Sequence, residues 1–150
     1  MQRIWILAAG SSRARLFERS ASDQPLQEIQ DFLNPAGRAH DRDLRSDAEG
    51  RYAGRGGRQA HTAPGRIDAS EHEAERFSKR VGEFIDNART RNRFERLYLV
   101  GAPRFLGLMR KVLSKQAHQM VADEIPKDVS RCDAREIEQV VRESTERATL

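Results

Sequence analysis

The sequence predicts an α/β domain built on a mixed sheet, and three observations point there. A short continuous apolar run, Ile4-Trp5-Ile6-Leu7-Ala8-Ala9, lies near the start of the chain, as a strand buried on both faces requires. A two-residue alternation follows, in which Ala14 and Leu16 are interleaved with Arg13, Arg15, Phe17 and Arg19; this reads as the second arm of a hairpin. Beyond Ser70, helical and strand-like patterns alternate, which predicts crossover connections that set the last strands parallel to the first.

Taken in order, Gly10-Ser11-Ser12 is the turn between the first two strands and Ser20 to Pro25 a polar turn after the second. Leu26 to Leu33 is open to two readings: Leu26, Ile29, Phe32 and Leu33 fit one helical face, and the segment also fits a third strand. Asn34-Pro35 ends it in both cases, because the residue before a proline is pushed out of the helical region. Ala36 to Ala69 makes a long connection, of a length usually functional or disordered. Ser70-Glu71-His72-Glu73 has the form of a capping box. Ala74, Phe77, Val81, Phe84, Ile85 and Ala88 then repeat at helical spacing, predicting a helix from about Glu71 to Thr90.

Arg96 to Gly101 reads as a strand, and Ala102-Pro103 opens a second helix that turns Phe105, Leu106, Met109, Val112 and Leu113 inward. Gln119 to Ile125 reads as a last strand closed by Pro126. Asp133 to Glu136 starts a third helix carrying Ile137, Val140 and Val141. The sheet is therefore expected to be mixed, with an antiparallel front end and three helices.

A chain of 150 residues is expected to be a single domain spanning 1–150, with a Gly/Arg-rich loop at about 36–69. Its hydrophobic fraction of 37% and charged fraction of 33% allow a modest core. The single cysteine, Cys132, excludes an internal disulfide framework and fits a reducing compartment. No apolar run reaches the length of a membrane span. The opening MQRIWILAAGSS resembles a signal peptide, but its apolar part is short and Arg13 and Arg15 follow at once, so a strand is the better reading. A cytoplasmic location is the expectation.

The segment Arg51 to Arg66 stands apart. It carries Arg51, Arg55, Arg58 and Arg66 among four glycines and has no acidic residue. Guanidinium groups fork onto phosphate, so these four arginines are candidate RNA contacts, with Tyr52 placed to stack on a base. His61, His72 and Glu73 fit no known metal-ligand spacing, and no metal or cofactor is expected. Arg104, Arg110 and Lys111 read as the solvated side of the second helix.

Several stretches together carry a family resemblance: RIWILAAGSSRARLFE at Arg3 to Glu18, NPAGRAHDRDLRSD at Asn34 to Asp47, HEAERFSKRV at His72 to Val81, APRFLGLMRKVLSK at Ala102 to Lys115 and PKDVS at Pro126 to Ser130. They resemble the host attachment proteins, a family similar to the middle domain of the archaeal–eukaryotic release factor and Pelota superfamily. The resemblance implies a ribonuclease H-like, mixed five-stranded sheet, and so a strand at Leu26 to Leu33.

It also sets Arg55-Gly56-Gly57-Arg58-Gln59-Ala60 where release factors carry a Gly-Gly-Gln loop. Arg58 is inserted between the glycines and Gln59, a displacement of about 3.3 Å in extended chain, against a tolerance of about 1 Å for catalysis by positioning. Gln59 with Gly56 and Gly57 is thus a degenerate candidate for peptidyl-tRNA ester hydrolysis. Ala9 stands where the family often has an acidic residue, and the strands offer no carboxylate cluster for a nuclease metal. The leading expectation is a non-catalytic protein associated with the ribosome or RNA, in hibernation or rescue. The alternatives are an interaction or regulatory protein tied to host attachment, and a peptidyl-tRNA hydrolase.

Overall fold

The computed structural model describes residues 2–10, 12–21, 23–34 and 56–149, with the backbone alone for 56–70 and 148–149. Five strands form one sheet: β1 (Ile4–Ala9), β2 (Arg13–Arg19), β3 (Gln27–Leu33), β4 (Arg96–Gly101) and β5 (Val121–Ile125), in the order β3-β2-β1-β4-β5. The pairs β1–β2 and β2–β3 are antiparallel, whereas β1–β4 and β4–β5 are parallel. This is the mixed sheet with an antiparallel front end that the ribonuclease H-like expectation requires. No described helix is long and apolar enough to cross a membrane.

Of the residues Leu26 to Leu33, Gln27–Leu33 prove to be strand, and a bulge explains their double appearance. Leu16 faces Gln30 and Phe17 faces Glu28, so Ile29 is an extra residue on β3 without a partner. An extra residue rephases the alternation. Ile29 and Phe32, three apart, therefore pack on the same core cluster, which imitates a helical spacing.

Alternation along the central strands divides the core between the two faces of the sheet. Trp5, Leu7 and Ala9 of β1 join Leu97 and Leu99 of β4 beneath α1 (Gly56–Thr90), α2 (Pro103–Val112) and the single-turn α3 (Lys115–Gln119). Ile6 and Ala8 join Tyr98, Val100 and Ile125 beneath α4 (Ala134–Thr149). Trp5 has no exposed surface; its ring stacks on Phe94 at 4.8 Å between centroids, and its Nε1 donates to Glu18 at 2.8 Å. The indole is thus buried with its one donor satisfied.

The predicted helix start at Glu71 is corrected: α1 begins at Gly56 and runs through Ser70. Glu73, expected in a capping box, instead accepts from Arg76 at 3.0 Å. Extending an existing helix adds one bond per residue, whereas nucleation is costly. The strongly amphipathic turns after Ser70 can therefore carry the unfavourable Gly56, Gly57, Pro64 and Gly65. At its other end α1 closes through Asn92 at φ 57°, with the Asn92 amide donating to Arg89 and the Arg93 amide to Ala88, the paired bonds of a Schellman motif.

Two further helix starts rest on side-chain caps. Ser114 Oγ accepts from the Ala117 amide at 3.1 Å to begin α3, a helix the hydrophobic pattern does not reveal. Asp133 and Glu136 exchange backbone-to-carboxylate bonds of 2.9 and 3.1 Å at the start of α4, the predicted box.

Two glycines test this packing in opposite directions. A Cβ on Gly101 would lie 2.2 Å from the Ala9 carbonyl oxygen, in backbone that cannot yield. Gly101→Ala is expected to lower unfolding free energy by about 2 kcal/mol or more. On Gly107, within α2, a Cβ meets nothing within 4 Å, so Gly107→Ala is expected to raise stability by about 0.5–1 kcal/mol. Urea unfolding of the two variants checks both signs.

Candidate functional site

In open α/β sheets ligands bind beyond the carboxyl ends of parallel strands, where connections from neighbouring strands leave in different directions. Here that place is the end of β1 and β4. After Ala9 the chain turns back into β2, held by the Gly10 amide donating to the Arg13 carbonyl at 2.9 Å. After Gly101 it enters α2 on the α1 side of the sheet, while β5 leads to α4 on the other side.

A crevice of about 610 Å³ opens at this point, within the size range of small-ligand sites. Ala8, Ala9, Gly10 and Ala102 line it with small side chains. Ser12, Arg13 and Arg15 line it from the β1–β2 turn and β2, and Asp128 to Cys132 from the connection into α4.

The two β2 arginines that line the crevice are held by carboxylates of β3. Arg13 donates through Nε and Nη2 to both oxygens of Asp31, each at 2.9 Å. This bidentate bond, aided by charge attraction to Asp31 and Glu28, holds the guanidinium pKa above its ordinary value against a smaller effect of desolvation. Arg15 is the more enclosed of the two, with 16% of its side chain exposed. Its Nε donates to Glu28 at 2.7 Å and its Nη1 to the Cys132 carbonyl at 2.6 Å, and its guanidinium lies 4.9 Å from the Phe17 ring centroid. Arg15 thus ties β2 to the loop before α4. Nη1 of Arg13 and Nη2 of Arg15 have no hydrogen-bond partner among the described residues.

The facing loop adds Asp128, Ser130 and Arg131. The Ser130 amide donates to Asp128 Oδ1 at 3.0 Å. That bond, with the Ser130 hydroxyl and the charge of Arg131, pulls the Asp128 carboxyl below the usual range, despite some desolvation. The lining therefore carries three guanidinium groups and one carboxylate that stays ionised.

Of the arginine-rich candidates, Arg51, Tyr52 and Arg55 are outside the described residues. Gly56, Gly57, Arg58, Gln59 and Arg66 lie on the helical backbone of α1. The loop expected around the two glycines is thus corrected to helix from Gly56 onward, and a glycine pair in helical backbone does not supply the bend that a release-factor-like loop uses. Among the described residues no three His, Cys, Asp or Glu side chains gather as a metal site. His72 is exposed on α1, and His118 bonds the Arg110 carbonyl through Nε2 at 2.7 Å.

The crevice residues were legible only in part. Arg13 and Arg15 stand out as charges alternating with Ala14 and Leu16, and Glu28 and Asp31 match them across the pair. Nothing local in Asp128-Val129-Ser130-Arg131 marks that loop as their neighbour; the long-range topology brings it there.

The Asp128 shift has a definite sign. Its carboxyl is held below the unfolded value, so the contribution to loop order is complete above about pH 4 and is lost as pH falls through the lower folded value. In a carbon-detected NMR titration the Asp128 midpoint is expected below about 3.9. Ser130→Pro, which removes the amide and the hydroxyl together, is expected to move the midpoint upward.

A family model described as protein required for attachment to host cells matches residues 5–141, from β1 into the body of α4. No curated protein matches the chain in sequence. The match takes in all five strands and both walls of the crevice, and the chain belongs to the family of proteins required for attachment to host cells.

Proposed function

We propose that this chain is an interaction or regulatory domain in attachment to host cells, acting by binding at the crevice rather than by breaking a bond. The family match over residues 5–141 is the observation that carries this reading. The crevice chemistry supports it: Arg13 and Arg15 are already oriented by Asp31, Glu28 and the Cys132 carbonyl, and preorganised donors favour recognition because little ordering cost remains. Deleting the coding sequence is expected to reduce adhesion of the producing cells to host cells several-fold, with recovery on re-expression. Unchanged adhesion would overturn the reading.

A second reading, association with RNA or the ribosome, rests on the sequence between Arg51 and Arg66, with four arginines and no acidic residue. The similarity to the release-factor and Pelota middle domain belongs to this reading, as does hydrolysis by Gln59. Phosphate contacts make such binding salt-dependent. Sedimentation with ribosomal particles in low salt, lost when Arg51, Arg55, Arg58 and Arg66 are replaced by Gln, is the expected result. Protein that stays at the top of the gradient in low salt rejects it.

A further inference from the structure

We infer that the crevice between the β1–β2 turn and the loop before α4 is a binding site for a small phosphorylated ligand. This rests on reading the crevice as a binding site, and deepens it by naming the ligand class. The first ground is room: the floor of Ala8, Ala9, Gly10 and Ala102 leaves about 610 Å³ at the carboxyl ends of two parallel strands, enough for a molecule of nucleotide size.

The second ground is charge. Arg13, Arg15 and Arg131 line the space against the single carboxylate of Asp128. The balancing acids of the first two, Asp31 and Glu28, lie on β3 outside the described lining. Although Asp31 and Glu28 offset the charge of Arg13 and Arg15, three guanidinium forks facing one space suit an anion with several oxygens to receive them.

The third ground is orientation. Arg15 is fixed by three different neighbours: Glu28 at Nε, the Cys132 carbonyl at Nη1 and the face of Phe17. A side chain so enclosed loses little further freedom when a phosphoryl oxygen meets its remaining Nη2. Arg13 is likewise held in plane by Asp31, with Nη1 left over. Across the crevice Ser130 and Arg131 supply a hydroxyl and a third guanidinium. Asp128, kept ionised by the Ser130 amide, would repel a phosphoryl group beside it. It is suited instead to accept from a hydroxyl or amine elsewhere on the ligand. The arrangement therefore takes a phosphate monoester with a polar body more readily than a free carboxylate.

Calorimetric titration of the full chain with adenylate, ribose phosphate, inorganic phosphate and adenosine tests this. Binding of adenylate or ribose phosphate, with adenosine bound at least about tenfold more weakly, is expected from the loss of charge-assisted bonds. Inorganic phosphate binding as tightly as the monoesters would keep the phosphoryl site and remove the role given to Asp128. Arg131 is exposed and among the described residues its side chain makes no hydrogen bond or ion pair, acting on Asp128 through its charge alone, so Arg131→Ala should fold normally and weaken monoester binding by about tenfold or more. Arg104→Ala, on the exposed side of α2, should leave it unchanged.

The inference is overturned if none of the phosphorylated probes binds, or if adenylate and adenosine bind alike. It is also overturned if Arg131→Ala binds as well as Arg104→Ala. These readouts use purified protein and are independent of adhesion. An Arg131→Ala protein that loses the monoester yet restores adhesion in a deletion strain would leave the ligand site standing and sever it from attachment.

Discussion

The parallel pairing of β1 with β4 is the contact from which the rest of the molecule is hung. Six residue pairs run from Ile4 opposite Arg96 to Ala9 opposite Gly101, and each of these strands contributes to both core clusters. At its end the Ala9 carbonyl lies where a side chain at position 101 would stand. The same pair of strands seats α1 and α2 on one side and α4 on the other, and sets the place where their connections part. A defect in this pairing would therefore disturb both layers and the crevice together.

Legibility in the sequence followed the range of the interactions responsible. The apolar run Ile4–Ala9 and the Arg/apolar alternation of β2 are local, and both became strands close to their expected bounds. The box at Asp133 and Glu136 formed as its residue types require. The segment around Ile29 stayed double-valued because an unpaired residue on β3 breaks the two-residue period; only pairing with β2 decides it. The start of α1 was misplaced because Ser70 and Glu73 satisfy the local rule for a cap, while propagation from a nucleated helix overrides it. The arginines of the crevice, Arg13, Arg15 and Arg131, come from positions far apart in the chain, so no local pattern groups them.

The link from Arg15 to the Cys132 carbonyl joins these scales. It connects residues 117 positions apart, and its geometry depends on Glu28 of a third element. The bond requires β2 and the loop before α4 to be in place together, so the crevice is a product of the tertiary fold and not of any one segment.

The bulges have a bearing on self-association as well. One extra residue, Ile29, sits on β3 and another, Ala122, on β5, so both outer strands of the sheet are irregular. Both also carry carboxylates, Glu28 and Asp31 on one and Asp123 and Glu124 on the other. A regular, uncharged border would offer another copy a continuous row of amides and carbonyls to extend. Here each border is interrupted by a bulge and carries charged side chains, which opposes the open-ended stacking of copies into fibres.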